Sequence, residues 1–334
     1  MRIIHIPSLL AVICCAGCID KIILDVPYPD GYPVVIDGFI STENKKHLIR
    51  VSSSFDIESH SSFRTPLSVG SITLRDNHGL SVSLTEKGIG DYYTPYMEGI
   101  VGNVYTLRVE LTDGRVYESY PDTLYPSGYI EKIYSAFRSE KINQQSSYSF
   151  DVYFDAITYG SHHNLVWKYD VFFLADIPCC TCISRLTKSL PVVSQDQTVS
   201  HNRFESVKIV RIPLDGWAFQ KGVYVDVFQQ SVSRRAYEFW RIVSTQLTGT
   251  QSLFQPVIGK MPVNFIQLQG SPQPLFGIFY AAGLTEAHGF ISRSEVPDQS
   301  LIPIAISFPQ GPNETSYGHT CPTVIPNSKQ VTGG

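Results

Sequence analysis

Residues 104–118 read Val104-Tyr105-Thr106-Leu107-Arg108-Val109-Glu110-Leu111-Thr112-Asp113-Gly114-Arg115-Val116-Tyr117-Glu118. Apolar and polar side chains alternate along the first eight residues, a period of two that is typical of a half-buried β-strand. Gly114 can adopt the positive φ of a tight turn, so Asp113-Gly114 favours a hairpin. The stretch therefore predicts two antiparallel strands joined by a short loop.

The same alternation recurs on the amino-terminal side of this hairpin. Strands are predicted in residues 34–40, 47–51, 71–75 and 80–84, and another begins at Gly90. Short strands separated by turn residues over about 90 residues are typical of an immunoglobulin-like sandwich. We therefore expect residues 33–125 to form an immunoglobulin-like β-sandwich.

The second half predicts a larger β-rich α+β domain, residues 126–308, with one packed helix. Its helix is expected from Ser233 to Leu247, since Ser233 can cap the first turn. An apolar stripe at three- and four-residue spacing would face a sheet; it comprises Ala236, Tyr237, Trp240, Val243 and Leu247. Strands are predicted at 129–134, 147–154, 163–174, 222–229, 264–268, 275–282 and 289–293. We expect residues 179–202 to form a long loop and residues 309–334 an irregular tail.

The amino terminus predicts export. Met1-Arg2 precedes an apolar run from Ile3 to Cys15, and Ala16-Gly17-Cys18 follows. This run is too short to span a bilayer and is typical of a signal peptide with a lipobox. We expect cleavage of residues 1–17, lipidation of Cys18 and a tether over residues 18–32. The alternative is an ordinary cleaved signal, because Cys15 stands where lipoboxes usually carry Leu.

The cysteines of the mature chain favour disulfides. Of seven cysteines, those left after cleavage and lipidation are Cys179, Cys180, Cys182 and Cys321. Thiols in an exported protein usually pair. We expect Cys321 to bond to one of the cluster and a second bridge to lie within the cluster. A redox Cys179-x-x-Cys182 motif, or a metal site with His162 and His163, is the less favoured interpretation.

Composition and motifs argue against several functions. The net charge is −4, without a dense basic patch, so no nucleic-acid partner is expected. The chain lacks G-x-S-x-G, H-E-x-x-H, P-loop and G-x-G-x-x-G patterns, and we expect no catalytic residue, cofactor or metal. Asp151 and Asp155 could share one strand face as a glycosidase pair, although such pairs are usually solvated. A further hint of an interaction surface comes from six tyrosines, although β-proteins commonly place tyrosine on strands; they are Tyr92, Tyr93, Tyr96, Tyr120, Tyr125 and Tyr129.

Several degenerate segments together are similar to one family. They are Val34-Val35-Ile36-Asp37-Gly38, Gly90-Asp91-Tyr92-Tyr93, Gly102-Asn103-Val104-Tyr105-Thr106-Leu107, the Asp113-Gly114 hairpin ending in Tyr117, Ala236-Tyr237-Glu238-Phe239-Trp240, Ser252-Leu253-Phe254, Pro256 and Leu275-Phe276-Gly277-Ile278-Phe279-Tyr280-Ala281-Ala282. In order and spacing they resemble the Bacteroidota lipoproteins labelled domain of unknown function 4249. The resemblance implies an outer-membrane protein encoded beside TonB-dependent, SusC-like transporters.

These observations lead to one expected function and two alternatives. We expect a non-enzymatic outer-membrane lipoprotein, exposed at the cell surface, that assists a TonB-dependent β-barrel transporter in nutrient uptake. Its ligand could be a small molecule, a peptide or a glycan. The alternatives are an adhesive or structural subunit of fimbrial type, which would accept a partner strand at a sheet edge, and a glycan or peptide hydrolase using Asp151 or Asp155.

Overall fold

The chain is mainly β, as the sequence predicts. The computed structural model describes residues 33–53, 65–142, 145–159, 164–177, 180–187, 191–194, 202–214, 221–249 and 262–301. In chain order the strands are β1 (Val34–Ser41), β2 (Leu48–Ser53), β3 (Thr65–Pro66), β4 (Val69–Asp76), β5 (Ser81–Ser83), β6 (Thr85–Gly88), β7 (Asp91–Tyr93), β8 (Val104–Leu111), β9 (Val116–Ser119), β10 (Asp122–Thr123), β11 (Tyr129–Ile142), β12 (Gln145–Ile157), β13 (Leu165–Ile177), β14 (Cys180–Thr187), β15 (Val192–Val193), β16 (Arg203–Pro213), β17 (Gly222–Val232), β18 (Phe265–Gln269), β19 (Leu275–Phe276) and β20 (Phe279–Ser292). The helix α1 spans Arg234–Gly249, and two short 3-10 helices span Arg293–Glu295 and Gln299–Leu301.

One long sheet contains strands from both halves of the sequence. Its order is β14-β13-β17-β20-β1-β2-β7-β6. The join is the parallel pairing of β1 with β20, in register from Gly38 opposite Phe279 to Ser41 opposite Ala282. The chain also passes Gly277 close to β1 at a φ of 98°, where a side-chain carbon would lie 2.1 Å from the Ile36 carbonyl oxygen. Glycine is therefore required at this crossing.

A second sheet packs on the β1–β2 end of the long sheet and forms a sandwich there. Its order is β18-β9-β8-β4-β5, and β10 also pairs with β8. The core between the two sheets is apolar and includes Ile36, Ile40, Val51, Leu74 and Leu107. Two packed sheets over residues 33–125 are compatible with the expected immunoglobulin-like arrangement. The second segment also contributes to this sandwich, through the pairing of β18 with β9.

The predicted hairpin is present. Strands β8 and β9 pair antiparallel, with Val109 opposite Tyr117, and Gly114 in the turn has a φ of 87°. Along β8 every second residue is buried. The side chains that point inward are Tyr105, Leu107, Val109 and Leu111, all of which belong to the sandwich core.

A third sheet, of order β11-β12-β16, packs on the other end of the long sheet. A second apolar core lies between these two sheets, on the same face of the long sheet as the sandwich core. Trp167 of β13 is fully buried at its centre. Its ring makes edge contacts with Phe154 at 5.2 Å and Phe204 at 5.3 Å between centroids. Its Nε1 donates to Gln229 Oε1 at 2.9 Å, so the indole is both packed and hydrogen-bonded.

The helix occurs where the capping pattern predicts it. Ser233 Oγ accepts a hydrogen bond from the Ala236 amide at 3.2 Å, which satisfies one of the free amides of the first turn. The same hydroxyl donates to Asp122 Oδ2 at 2.5 Å. Ala236 and Tyr237 are buried against the long sheet, whereas Leu247 is 45% exposed. The apolar stripe therefore ends one turn earlier than predicted.

The expected loop at residues 179–202 is wrong in part. Residues 180–187 form β14, which pairs with β13 so that Cys182 lies opposite Ala175 and Cys180 opposite Ile177. Strand β16 was also missed. Its alternation is interrupted at Ser206, which has a φ of 54°, and its pairing with β12 shifts register between Phe154 and Ala156.

Several predictions fall outside the described residues. Residues 1–32 and 309–334 do, and so do Cys18, Cys179, Cys321, His162 and His163. The disulfides and the lipid anchor therefore stay predictions.

The predicted boundary between residues 33–125 and 126–308 lies between β10 and β11, and the long sheet continues across it. In the part of the chain that the structure describes, no helix is long and apolar enough to cross a membrane.

Candidate ligand-binding site

A cavity lies on the face of the long sheet opposite the two apolar cores. Side chains alternate between the faces of a strand. Ile36 and Ile40 of β1 belong to the sandwich core, whereas Asp37 and Phe39 line the cavity. On β13, the neighbour of the buried Trp167 is Lys168, which also lines the cavity. The alternation that builds the cores thus places a second set of side chains on the opposite face.

The cavity has a volume of about 620 Å³, within the range of small-molecule pockets. Strands β1, β2 and β13 form its floor together with residues 278–280, helix α1 forms one wall, and the β1–β2 loop forms another. The lining residues are Asp37, Gly38, Phe39, Lys45, Lys46, His47, Leu48, Arg50, Lys168, Phe239, Trp240, Val243, Ile278 and Tyr280. The site is therefore assembled from segments separated by more than two hundred residues.

Aromatic rings make up much of the floor and the helical wall. Phe39 stacks on Tyr280 with 5.2 Å between centroids and 12° between planes. Trp240 meets Tyr280 edge-on at 6.2 Å, and Phe239 meets Trp240 edge-on at 5.4 Å. The Tyr280 hydroxyl donates to Gln230 Oε1 at 3.1 Å. Burial raises the pKa of Tyr280, so it remains a neutral phenol.

Lys168 places a cation among these rings. Its Nζ lies 4.0 Å from the Trp240 centroid and 5.6 Å from that of Phe39, and it donates to the Tyr280 hydroxyl at 3.4 Å. Loss of water around the amine lowers the pKa of Lys168 to about 8, although the charge of Asp37 opposes that effect. Among the described residues, no carboxylate forms a salt bridge with Lys168.

Two of the other three cations of the cavity have carboxylate partners. Lys45 forms an ion pair with Glu43, and Arg50 Nε lies 3.2 Å from Asp91 Oδ1. Lys46 Nζ lies over the Tyr96 ring, 5.1 Å from its centroid. Lys46 and Lys168 are therefore the cavity cations that form no salt bridge with a carboxylate among the described residues, and burial lowers the pKa of Lys168.

His47 contributes a neutral ring. Its Nε2 lies 3.0 Å from the Met97 carbonyl oxygen, and because a carbonyl only accepts, we assign the proton to Nε2. Burial lowers the pKa of His47. Its Nδ1 is buried and has no hydrogen-bond partner within the described ranges, which leaves an acceptor on a residue that lines the cavity.

Asp151 and Asp155 share one face of β12, as their spacing predicts, but they lie away from the cavity on the outer face of the third sheet. Asp151, 1% exposed at its side chain, contacts Arg211 at 2.8 Å, Lys208 at 2.7 Å and Arg138 at 3.1 Å. The hydrogen bond from Arg211 holds the pKa of Asp151 far below its usual range. A carboxyl group in this state cannot serve as a general acid near neutral pH.

Asp155 is also held as a carboxylate. Burial alone would raise its pKa, but hydrogen bonds from the Ser206 amide and the Lys132 amine lower the pKa overall. The contacts are 2.8 Å to Ser206 N and 3.1 Å to Lys132 Nζ. Both aspartates therefore form charge-compensated networks that join strands β11, β12 and β16.

One described cluster combines a histidine with two carboxylates. His288 Nδ1 lies 2.8 Å from Asp226 Oδ1, and His288 Nε2 lies 3.6 Å from Glu286 Oε1. Asp226 and His288 are directly opposite each other on β17 and β20. Both ring nitrogens face acids on an exposed surface, which is the geometry of a surface ion-pair network. The sequence prediction of no metal site stays a prediction.

The aromatic residues of the cavity differ from those that the sequence analysis singles out. None of the six tyrosines singled out there lines the cavity: Tyr92, Tyr93, Tyr96, Tyr120, Tyr125 and Tyr129. Tyr92 is buried in the sandwich core, whereas Tyr96 and Tyr120 are exposed. The available signal was Lys168 itself, a cation in the otherwise apolar run Leu165-Val166-Trp167.

The fold and the cavity define a mainly β protein with a cavity on one face of its long sheet. The chain matches the family described as "Domain of unknown function (DUF4249)" over residues 19–287. It belongs to that family, as the resemblance of its segments implies. No curated protein matches the chain.

Proposed function

We propose that this protein is a non-enzymatic outer-membrane lipoprotein that holds a small ligand and presents it to a TonB-dependent, SusC-like transporter. The observation that carries the proposal is the preformed cavity beneath helix α1. Its floor strands are held by two apolar cores, and helix α1 is packed on them through a third apolar cluster. A rigid pocket binds without the entropic cost of ordering its walls.

The chemistry of the cavity favours binding over turnover. Aromatic rings and cations supply stacking and charge complementarity, which hold and orient a ligand. The two carboxylates that a hydrolase would need, Asp151 and Asp155, are compensated by neighbouring cations and lie outside the cavity. Both features support a ligand-presenting role.

The proposed location rests on the amino-terminal sequence. Lipidation of Cys18 would attach the protein to the outer membrane, and residues 18–32 would act as a tether. Several acyl chains anchor firmly, because each buried methylene contributes about 0.8 kcal/mol. Ile19-Asp20-Lys21 places charges directly after the lipidated residue, a pattern that supports export to the cell surface.

The proposal is tested by purifying the tagged native lipoprotein from its own membranes in a gentle non-ionic detergent. We expect a β-barrel transporter to be enriched in a stoichiometric complex. The Cys18→Ser variant, expressed at the same level, is the control for association through the membrane. Recovery of the lipoprotein alone, or as SDS-resistant homopolymers of the adhesive kind, would contradict the proposal.

A further inference from the structure

We propose that the cavity selects a carboxylate anion carried on a ring whose face can stack on aromatic side chains, and that Lys168 is the group that receives the carboxylate. This inference deepens the proposed function by naming the chemical class of the ligand. Two observations carry it: the position of the Lys168 amine among three aromatic rings, and the balance of charge around the cavity.

The Lys168 amine is desolvated, and although the charge of Asp37 partly offsets this, no described carboxylate forms a salt bridge with the amine. Its nearest described contacts are the Trp240 ring at 4.0 Å and the Tyr280 hydroxyl at 3.4 Å. Burying a charge without a paired counter-charge is unfavourable. An ion pair in a partly desolvated site is also stronger than one in water. A ligand carboxylate at this amine would therefore relieve a cost that the unliganded protein carries.

The surrounding charges favour an anion. Four cations line the cavity, namely Lys45, Lys46, Arg50 and Lys168, against one acid, Asp37. Glu43 and Asp91 lie outside the lining and compensate Lys45 and Arg50. His47 is neutral because burial lowers its pKa. The residues that α1 contributes to the lining, Phe239, Trp240 and Val243, are uncharged.

The position of the Lys168 amine indicates that the ligand should carry a ring. Lys168 Nζ is between the Trp240 and Phe39 rings, 4.0 Å from one centroid and 5.6 Å from the other. A carboxylate that reaches this amine brings its attached group against those rings and against the Phe39–Tyr280 stack. The face of an aromatic ring, or the apolar C–H face of a sugar ring, packs well on such a surface, whereas a short aliphatic acid would leave it uncovered.

The binding test uses the full chain in non-ionic detergent at pH 7 and isothermal titration calorimetry. The probes are phenylacetate, its neutral amide phenylacetamide, acetate and glucuronate. We expect at least one ring-bearing acid to bind tenfold or more tightly than both phenylacetamide and acetate. Comparison of phenylacetate with glucuronate distinguishes an aromatic from a sugar source of the ring. Equal binding of acid and amide, or no binding of either ring acid at millimolar concentration, would overturn the inference.

A matched pair of variants tests the role of Lys168. Lys168→Met keeps an unbranched side chain only one atom shorter and removes its charge, and Lys141→Met removes an exposed lysine of β11. We expect Lys168→Met to weaken binding of the ring acid tenfold or more and to leave phenylacetamide unchanged, whereas Lys141→Met alters neither. Unchanged acid binding by a folded Lys168→Met protein would overturn the assignment. If that variant fails to fold, the native chain provides the test, since equal binding of the ring acid and its amide would still overturn the inference.

The pH dependence gives a readout that a structural role would not produce. The groups around Lys168 are Asp37 on β1, Tyr280 on β20, Asp170 on its own strand, and Lys45, Lys46, His47 and Arg50 on the adjacent loop and strand. A bound anion raises the pKa of Lys168 above its value of about 8 in the free protein. Acid binding should therefore be strongest below pH 8 and weaken as pH rises above it, while amide binding stays constant. A flat profile for the acid would contradict the inference.

The two tests fail independently. A transporter complex without selective acid binding would leave the presenting role in place and remove the ligand class. Selective acid binding without a transporter complex would keep the ligand class and remove the proposed partner.

Discussion

Trp167 and Lys168 are neighbours on β13 but lie on opposite faces of the long sheet. Trp167 is fully buried, contacts two aromatic edges and donates to Gln229 at 2.9 Å. Lys168 opens onto a cavity, and no described carboxylate forms a salt bridge with it. The two faces differ in that another sheet closes the face of Trp167, whereas the face of Lys168 carries both an apolar cluster beneath helix α1 and a desolvated amine at a cavity.

Asp151 sharpens this contrast. It is also a poorly exposed charge on a strand, but Arg138, Lys208 and Arg211 compensate it. A carboxylate that gains such partners lowers its pKa and stabilises the fold above that pKa. Lys168 shows the opposite behaviour, since desolvation lowers the pKa of its amine. The protein therefore contains one charge that supports the structure and one that costs stability.

The largest expected loss of stability comes from a substitution on the face of the long sheet that packs against the third sheet. Trp167→Ala should lower the free energy of unfolding by about 4 kcal/mol, because it removes a fully buried ring and leaves a cavity. Trp240→Ala on the cavity face should cost less than half as much, since Trp240 is only partly buried. Urea denaturation measures both. Equal losses would contradict the proposed difference between the faces.

The next largest loss of stability is expected at Asp151, whose charge is compensated by three cations. Asp151→Asn should lower the free energy of unfolding by about 3 kcal/mol, because three cations lose their common partner. Glu140→Gln is the control, since Glu140 is an exposed partner of Arg211 in the same network, and it should cost below about 1 kcal/mol. A loss at Asp151 no greater than at Glu140 would show that the network adds little.

The smallest change in the free energy of unfolding is expected from substitution of Lys168, and this change should stabilise the protein. Replacing a desolvated cation by an apolar side chain is often neutral or stabilising by about 1 kcal/mol or more. Lys168→Met should therefore unfold at the same or higher urea concentration than the native chain at pH 7. A substantially lower midpoint would contradict the view that this charge costs stability.

The difference in stability between Lys168→Met and the native chain should depend on pH, because folding lowers the pKa of Lys168. The pKa of Lys168 is about 8 when folded and about 10.4 in an unfolded chain. Between these values the unfolded state binds more protons, so the stability contributed by this group rises with pH. The advantage of Lys168→Met should be fully present below pH 8 and should shrink as pH rises to about 10. An advantage that stays constant over this range would contradict the shift.

Local patterns in the sequence predict much of the fold. The Asp113-Gly114 turn and the Ser233 cap each depend on a few adjacent residues, and the structure confirms both. Strand β16 was missed because the turn-like φ of Ser206 interrupts its alternation. Strand β14 was missed because its polar residues and cysteines resemble a loop, although pairing with β13 determines its conformation.

The cavity could not be predicted in the same way. Its floor depends on the parallel pairing of β1 with β20, which brings Phe39 opposite Tyr280 across more than two hundred residues. A local period of two indicates that Lys168 and Trp167 face opposite sides. It does not indicate which side is closed by another sheet and which is left open beneath a helix.

The most direct test of the central claim is an NMR titration of the Lys168 amine in the full chain with ¹⁵N-labelled lysine, assigned by comparison with Lys168→Met. We expect a midpoint near pH 8 in the free protein. Saturating ring acid, either phenylacetate or glucuronate, should move that midpoint up toward the ordinary lysine value of about 10.4. A free midpoint already at the ordinary value, or one that neither acid moves, would contradict the claim that Lys168 is a desolvated charge that receives an anion.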